Sequence, residues 1–150
     1  MKLKYLSRFA VLAIFAMAFA HAGGLFFSIG NPDAVSDPAA RGAFVTARVL
    51  TCFGDVLTGR PIRATAEGLV NGKRVSVPRK VVPLSTPGLH AIQWTRPAEG
   101  VWVLELRESY DLGVIVPVGR DGVRPRVEIV LGSPNPYQIK AVLAELAAGT

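Results

Sequence analysis

The side chains able to do chemistry in this chain are few and widely separated. Histidine occurs twice, as His21 and His90, and cysteine once, as Cys52. Metal centres generally draw three or four protein ligands, and no His/Cys/Asp cluster here has ligand spacing. One chelate remains open. An N-terminal histidine offers its α-amine and its imidazole together, a pair suited to copper. A chain cut after Ala20 would begin with His21, and His90 would be the candidate third ligand. The plainer alternative puts His21 in a discarded leader and His90 beside Trp94, on the rim of a strand face that it shares with Ile92. In a chain that kept its leader in a membrane, His21, flanked by Ala20, Ala22 and Gly23, could instead ligate a haem-like macrocycle.

Nucleophilic and acid/base chemistry have less to work with. None of Ser28, Ser36, Ser76, Ser85, Ser109 or Ser133 sits in a Gly-x-Ser-x-Gly elbow. Glu105 and Glu108 are close in sequence, but strand parity puts Glu105 opposite the Trp102/Leu104/Leu106 set, where a solvated face is expected rather than a catalytic pair. No catalytic residue is assigned, and a hydrolase is not expected. Cations are better represented. Arg60, Arg63, Lys73, Arg74, Arg79 and Lys80 face a single acid, Glu67, across one short stretch. Brought together by a hairpin, they could meet anionic headgroups, an acidic partner or an envelope polyanion. The alternative is a basic sheet face whose lysines block edge-to-edge aggregation. Aromatics that would stack bases are not interleaved with them, which argues against nucleic acid.

The N-terminal segment sets the compartment. Lys2, Lys4 and Arg8 precede an unbroken apolar run, Phe9 to Ala20, and Ala20-His21-Ala22 supplies small residues at the −3 and −1 positions of a cleavage site. That order is a secretory signal over residues 1–22, giving a periplasmic or secreted domain over 23–150. The competing reading is an uncleaved signal anchor reaching to about residue 30, since no formal charge falls between Phe9 and Gly30 and about 20 apolar residues span a bilayer. The basic residues would then stay inside, with the domain outside the cytoplasm.

The whole chain carries +6, from 17 basic and 11 acidic residues. The leader holds three of the basic residues and no acid, so the mature charge is 14 − 11, or +3. A lone Cys52 excludes an intrachain disulfide. It is expected as a small buried hydrophobe, the alternative being a thiol that pairs with a partner.

The elements that must position these residues are mostly strands. Leu25 to Ile29 reads as a first strand, and Asn31 to Gly42 as a polar, Pro-rich connector. Val45/Ala47/Val49, Ile62/Ala64/Ala66, Trp102/Leu104/Leu106 and Val127/Ile129/Leu131 each alternate with polar or outward residues, the pattern of strands with one buried face. Asn71-Gly72 is the favoured pair for a two-residue type I′ hairpin. Pro87-Gly88, Pro97 to Gly100 and Gly119 to Gly122 mark further turns. Pro78 and Pro83 demote their segment to an edge or broken strand. At the end the period changes. Ile139, Val142, Leu143 and Leu146 predict a helix over 135–147, capped by Ser133 or Asn135 with Pro136 in its first turn. Ile62, Ala64, Trp94, Trp102, Leu104 and Ile129 are expected core.

Pro87-Gly88-Leu89-His90-Ala91-Ile92, followed by Pro97-Ala98-Glu99-Gly100-Val101-Trp102-Val103-Leu104, resembles a strand pair of bacterial exported immunoglobulin-like and transthyretin-like domains. These carry a PG-x-Tyr strand and then a P-x-x-G-x-W-x-L strand. The resemblance covers roughly residues 43–107, and His90 stands where the group has an aromatic. It implies an antiparallel β-sandwich, here with a C-terminal helix, acting as a non-catalytic binding or accessory module toward a protein partner or envelope component. The group includes small periplasmic domains found beside cytochrome oxidase assembly factors. The transthyretin-like hydrolase ending and its histidines are missing. The alternatives are a periplasmic copper-binding protein using His21, and a signal-anchored accessory subunit of a membrane complex.

Overall fold

The structure is a computed structural model that describes residues 24–108, 112–118 and 134–149. Within them, β1 (Leu25–Gly30), β2 (Ala43–Thr51), β3 (Arg63–Val70), β4 (Lys73–Pro83), β5 (His90–Gln93), β6 (Val101–Arg107) and β7 (Gly113–Val118) form one antiparallel sheet. A single helix, α1 (Pro136–Ala148), follows. The strand order is β1-β2-β5-β4-β3-β6-β7. The leader with Ala20, His21 and Ala22, the Gly119 to Gly122 turn, the strand expected at Val127 to Leu131 with its core Ile129, and Ser133 lie outside the described residues.

β4 changes partner partway along. Lys73 to Arg79 pair with Val70 to Ala64 of β3, and Lys80 to Pro83 pair with Gln93 to His90 of β5. Of the two arms of the expectation at Pro78 and Pro83, the broken strand fails, since β4 is continuous over 11 residues. Each half has a strand neighbour on one side only among the described residues, so a missing N–H at Pro78 is tolerated as it is on an edge. Pro83 is the last residue of the strand. The β3–β4 turn is the one the sequence calls for, with Asn71 at φ 50° and Gly72 at φ 74°.

The inner faces of all the strands share one core. Phe27, Val45, Ala47, Val49, Ala64, Ala66, Ile92, Leu104, Leu106, Val114 and Val116 meet there with Ile62, Trp94 and Trp102. Trp94 stands edge-on to Phe44 at 4.9 Å and to Trp102 at 6.0 Å between ring centroids. The Trp102 indole N–H donates to the Glu99 carbonyl at 2.7 Å, so its polar end is satisfied inside the core.

Both outer faces are partly covered. On the β5 side, the connector forms two 3-10 turns at Pro32–Ala34 and Pro38–Ala40, and Ala40 packs with Leu84 and Ala91. Asp37 holds this flap, accepting from the Ala39 N–H at 2.8 Å and the Ser85 N–H at 2.6 Å. These bonds, that to Ser85 first, pull its carboxyl below the ordinary aspartate value. On the other side α1 lays Ile139 and Leu143 against Val101, Val103 and Ile115. Asn135 caps it by accepting from the Tyr137 and Gln138 N–H groups, and Gln138 returns a bond to the Asn135 N–H. A helix of 13 residues is marginal alone. Each buried aliphatic side chain contributes about 1.5–3 kcal/mol to its docking.

Two expectations about burial fail. Glu105 is buried, because α1 covers the β6 face opposite Trp102 and Leu104. Cys52 is exposed, because β2 ends in a tight turn over Thr51–Gly54 that aims the intervening side chains at solvent, with Phe53 87% exposed.

Candidate functional site

The outer face of the β4–β3–β6 half, on which α1 packs, carries Arg63, Glu67, Arg74, Glu105 and Arg107. Cross-strand register sets the arrangement. Ser76, Glu67 and Val103 are neighbours on one rung; Pro78, Thr65 and Glu105 on the next; Arg63 and Arg107 face each other on the last. Alternation with Ala64, Ala66, Leu104 and Leu106, which all face the core, fixes these residues outward.

Three glutamates are buried and each holds an arginine. Glu67 accepts from the Ser76 hydroxyl at 2.6 Å and from the Arg74 Nε–H at 3.2 Å, and Arg74 also donates to the Pro136 carbonyl at the start of α1. Glu105 accepts from the Arg107 Nε–H at 2.6 Å, and Arg107 reaches the Pro134 carbonyl as well. Glu108 accepts from Arg60 at 2.8 Å, while its second oxygen, Oε2, is buried with no partner among the described residues. The side chains of the pair differ sharply in exposure, 49% for Arg60 and 1% for Glu108. The acids lie beneath and the guanidinium groups lie above them. A buried carboxylate is stable only while its cation stays in place, so these arginines are structural on one side and solvent-facing on the other.

The six cations of the sequence-predicted patch do not form one surface. Arg63 and Arg74 share the outer face of this half, while Lys80, though of the same parity, pairs with Gln93 of β5 in the other half. Lys73 and Arg79 lie on the opposite parity, across from Val70 and Ala64, and Arg79 turns its Nε–H to the Val77 carbonyl at 3.1 Å. Arg60 precedes β3 and is tied to Glu108. In its place the register brings in Arg107, which the sequence reading leaves out. Glu67 and Ser76 stand equidistant from the Asn71-Gly72 turn, so their contact is a signal present in the sequence. The Arg63–Arg107 pairing depends on long-range β3–β6 register and has no local signal.

His90 opens β5, half-buried, paired in register with Ala47 and Pro83 and with Nδ1 3.2 Å from the Gly88 carbonyl. Trp94 packs with Phe44 and Trp102. Among the described residues no group of three or more His, Cys, Asp or Glu side chains is placed to hold a metal ion, and no helix is long and apolar enough to cross a membrane. Comparison with family models, curated proteins and solved structures finds no match to this chain.

Proposed function

We propose that this protein is an exported, non-catalytic binding or accessory domain with an immunoglobulin-like fold. The pairing pattern supports the fold. On this reading β1-β2-β5-β4 and β7-β6-β3-β4 would be the ABED and GFC sheets of an immunoglobulin sandwich, with β4 as strand D in one half and as the neighbour of strand C in the other. One observation carries the binding role: guanidinium groups are presented to solvent, while the acids that pair with them are buried beneath. Such a face recognises negative charge and does not by itself supply a general base. Residues 1–22 support export.

The test is fractionation of cells that make the protein, with intact-mass measurement and in-cell cross-linking. A mature chain beginning at Gly23 outside the cytosol, cross-linked to an envelope component, is the expected result. A chain retaining Met1 in the cytosol would overturn export, and one retaining Met1 that resists alkaline carbonate would replace the free domain with an anchored subunit. A start at His21 with tight one-to-one Cu(II) binding would favour copper.

A further inference from the structure

We infer that the turn over residues 51–55 is a bilayer contact in which Phe53 enters the headgroup layer, an inference that rests on reading residues 1–22 as an export segment. Phe53 is 87% exposed. A single exposed aromatic is ordinary on a soluble domain, but this one is held out by its own turn. The Thr51 hydroxyl accepts from the Phe53 N–H at 3.3 Å and from the Asp55 N–H at 3.2 Å, and the Gly54 N–H donates to the Thr51 carbonyl at 2.9 Å. Gly54 completes the turn at φ 87°. The backbone beneath the ring is already fixed, so burying the ring orders little else.

Its neighbours make it part of an apolar corner. Cys52 and Val56 are exposed as well. A Cβ built on Gly88 would stand 2.6 Å from Cγ1 of Val56, so the 84–89 loop lies against the same corner. Residues 51–59 carry one charge, Asp55, and residues 84–89 carry none. The turns at the opposite end of the sheet are flanked by Arg41, Lys73, Arg74, Arg96 and Glu99. At the near end charge returns with Arg60 and Arg63, at the entry to β3.

What covers this corner follows from where the leader joins the sheet. Leu25, the first residue of β1, is paired with Thr51. It lies five residues after Ala20, the end of the apolar run that begins at Phe9. Five residues reach at most about 18 Å. While the leader is in the membrane, before cleavage or as an anchor, the Phe53 turn is therefore held beside lipid. An uncharged tip with an aromatic suits the boundary between headgroups and acyl chains, and cations one step behind it suit anionic headgroups.

The experiment takes the protein isolated from its own cells, with any leader it keeps, and combines it with vesicles of phosphatidylglycerol and phosphatidylcholine. Cys52 is the single cysteine and is exposed one residue from Phe53, so an environment-sensitive fluorophore attached there reports on this turn. Its emission should shift to the blue on adding vesicles and be quenched by nitroxide-labelled lipid. Phe53→Ser should weaken vesicle affinity by about tenfold or more, the change expected on removing one phenyl ring from an apolar medium. In a chain that keeps its leader, Phe53→Ser should abolish the quenching while the protein still sediments with vesicles. Tyr137→Ser removes an aromatic that is 83% exposed on α1 and should leave every readout unchanged. A fluorophore that stays in water beside vesicles, on a protein whose circular dichroism is native, would overturn the contact. So would equal loss in Tyr137→Ser, or a Phe53-dependent cross-link to a protein in cells without any response to vesicles. In each of these cases a chain found outside the cytosol leaves the export reading standing, whereas a cytosolic chain overturns that reading and the bilayer contact with it.

Discussion

Replacing Gly68 with alanine should destabilise the domain by about 2 kcal/mol, because there is no room for a methyl group between β3 and β6. Gly68 lies opposite Trp102 in register. A Cβ built there would stand 2.6 Å from Cε3 and Cζ3 of the indole, against the 3.4 Å at which ordinary contact begins. The ring cannot retreat freely, because it is edge-on to Trp94 and its N–H is bonded to the Glu99 carbonyl. Overpacking of this kind costs about 1–3 kcal/mol, and tilting the ring out of its hydrogen bond adds about 1 kcal/mol. The less flexible unfolded chain of the alanine variant offsets about 0.4–1 kcal/mol. With an unfolding entropy of about 2.1 cal/mol/K per residue over residues 23–150, the melting temperature should fall by about 7 °C. The assay is thermal unfolding followed by tryptophan fluorescence and near-ultraviolet circular dichroism, which report on Trp94 and Trp102 directly. In the Gly68→Ala background, Trp102→Phe should recover part of the loss, since the smaller ring leaves space. A variant melting within about 1 °C of the parent, with an unchanged near-ultraviolet spectrum, would refute the packing argument.

Other perturbations probe separate features. Gly72→Ala forces a side chain into the left-handed region and should cost about 1–2 kcal/mol by urea unfolding, with Asn71→Gly far milder. Arg60→Ala strands the buried Glu108 carboxylate and should destabilise more than the double variant Arg60→Ala/Glu108→Gln, an ordering that a double-mutant cycle measures directly. Asp37 has its carboxyl held below the usual value, so the unfolded chain takes up that proton more readily than the folded one. Its contribution is therefore complete above the ordinary aspartate value of 3.8 and is lost as pH falls through the lower, folded value. Unfolding midpoints of the parent and Asp37→Asn compared from pH 5 down to pH 2 should converge with acid, and a constant difference across that range would contradict the linkage.

How much of this was legible in the sequence depended on the range of the interaction that decided it. The β3–β4 hairpin and the capped C-terminal helix are specified by residues within a few positions of each other, and both form as the spacing predicts. The alternating segments gave the inner core, including Ile62, Ala64 and Leu104. The burial of Glu105 was not legible, because it depends on a helix some thirty residues later lying over that face. Val101 and Val103 on the same face were the available sign that something covered it. Cys52 was misjudged from the habits of its residue type, although the alternation that buries its strand stops at Thr51. At the candidate site, Arg63 and Arg74 could be named from local pattern. Arg107 could not, because β3 and β6 find each other only in the folded chain.

The partner change within β4 has a consequence for how the domain opens. A sandwich of two independent sheets can lose one layer while the other persists, as separate cooperative units. Here the backbone of β4 is bonded at Lys73 to Arg79 into one half and at Lys80 to Pro83 into the other. Freeing either half releases a strand the other needs. Native-state amide exchange should therefore show β2, β3, β5 and β6 opening together at the global unfolding free energy, with lower-energy openings confined to β1, the connector and the end of α1.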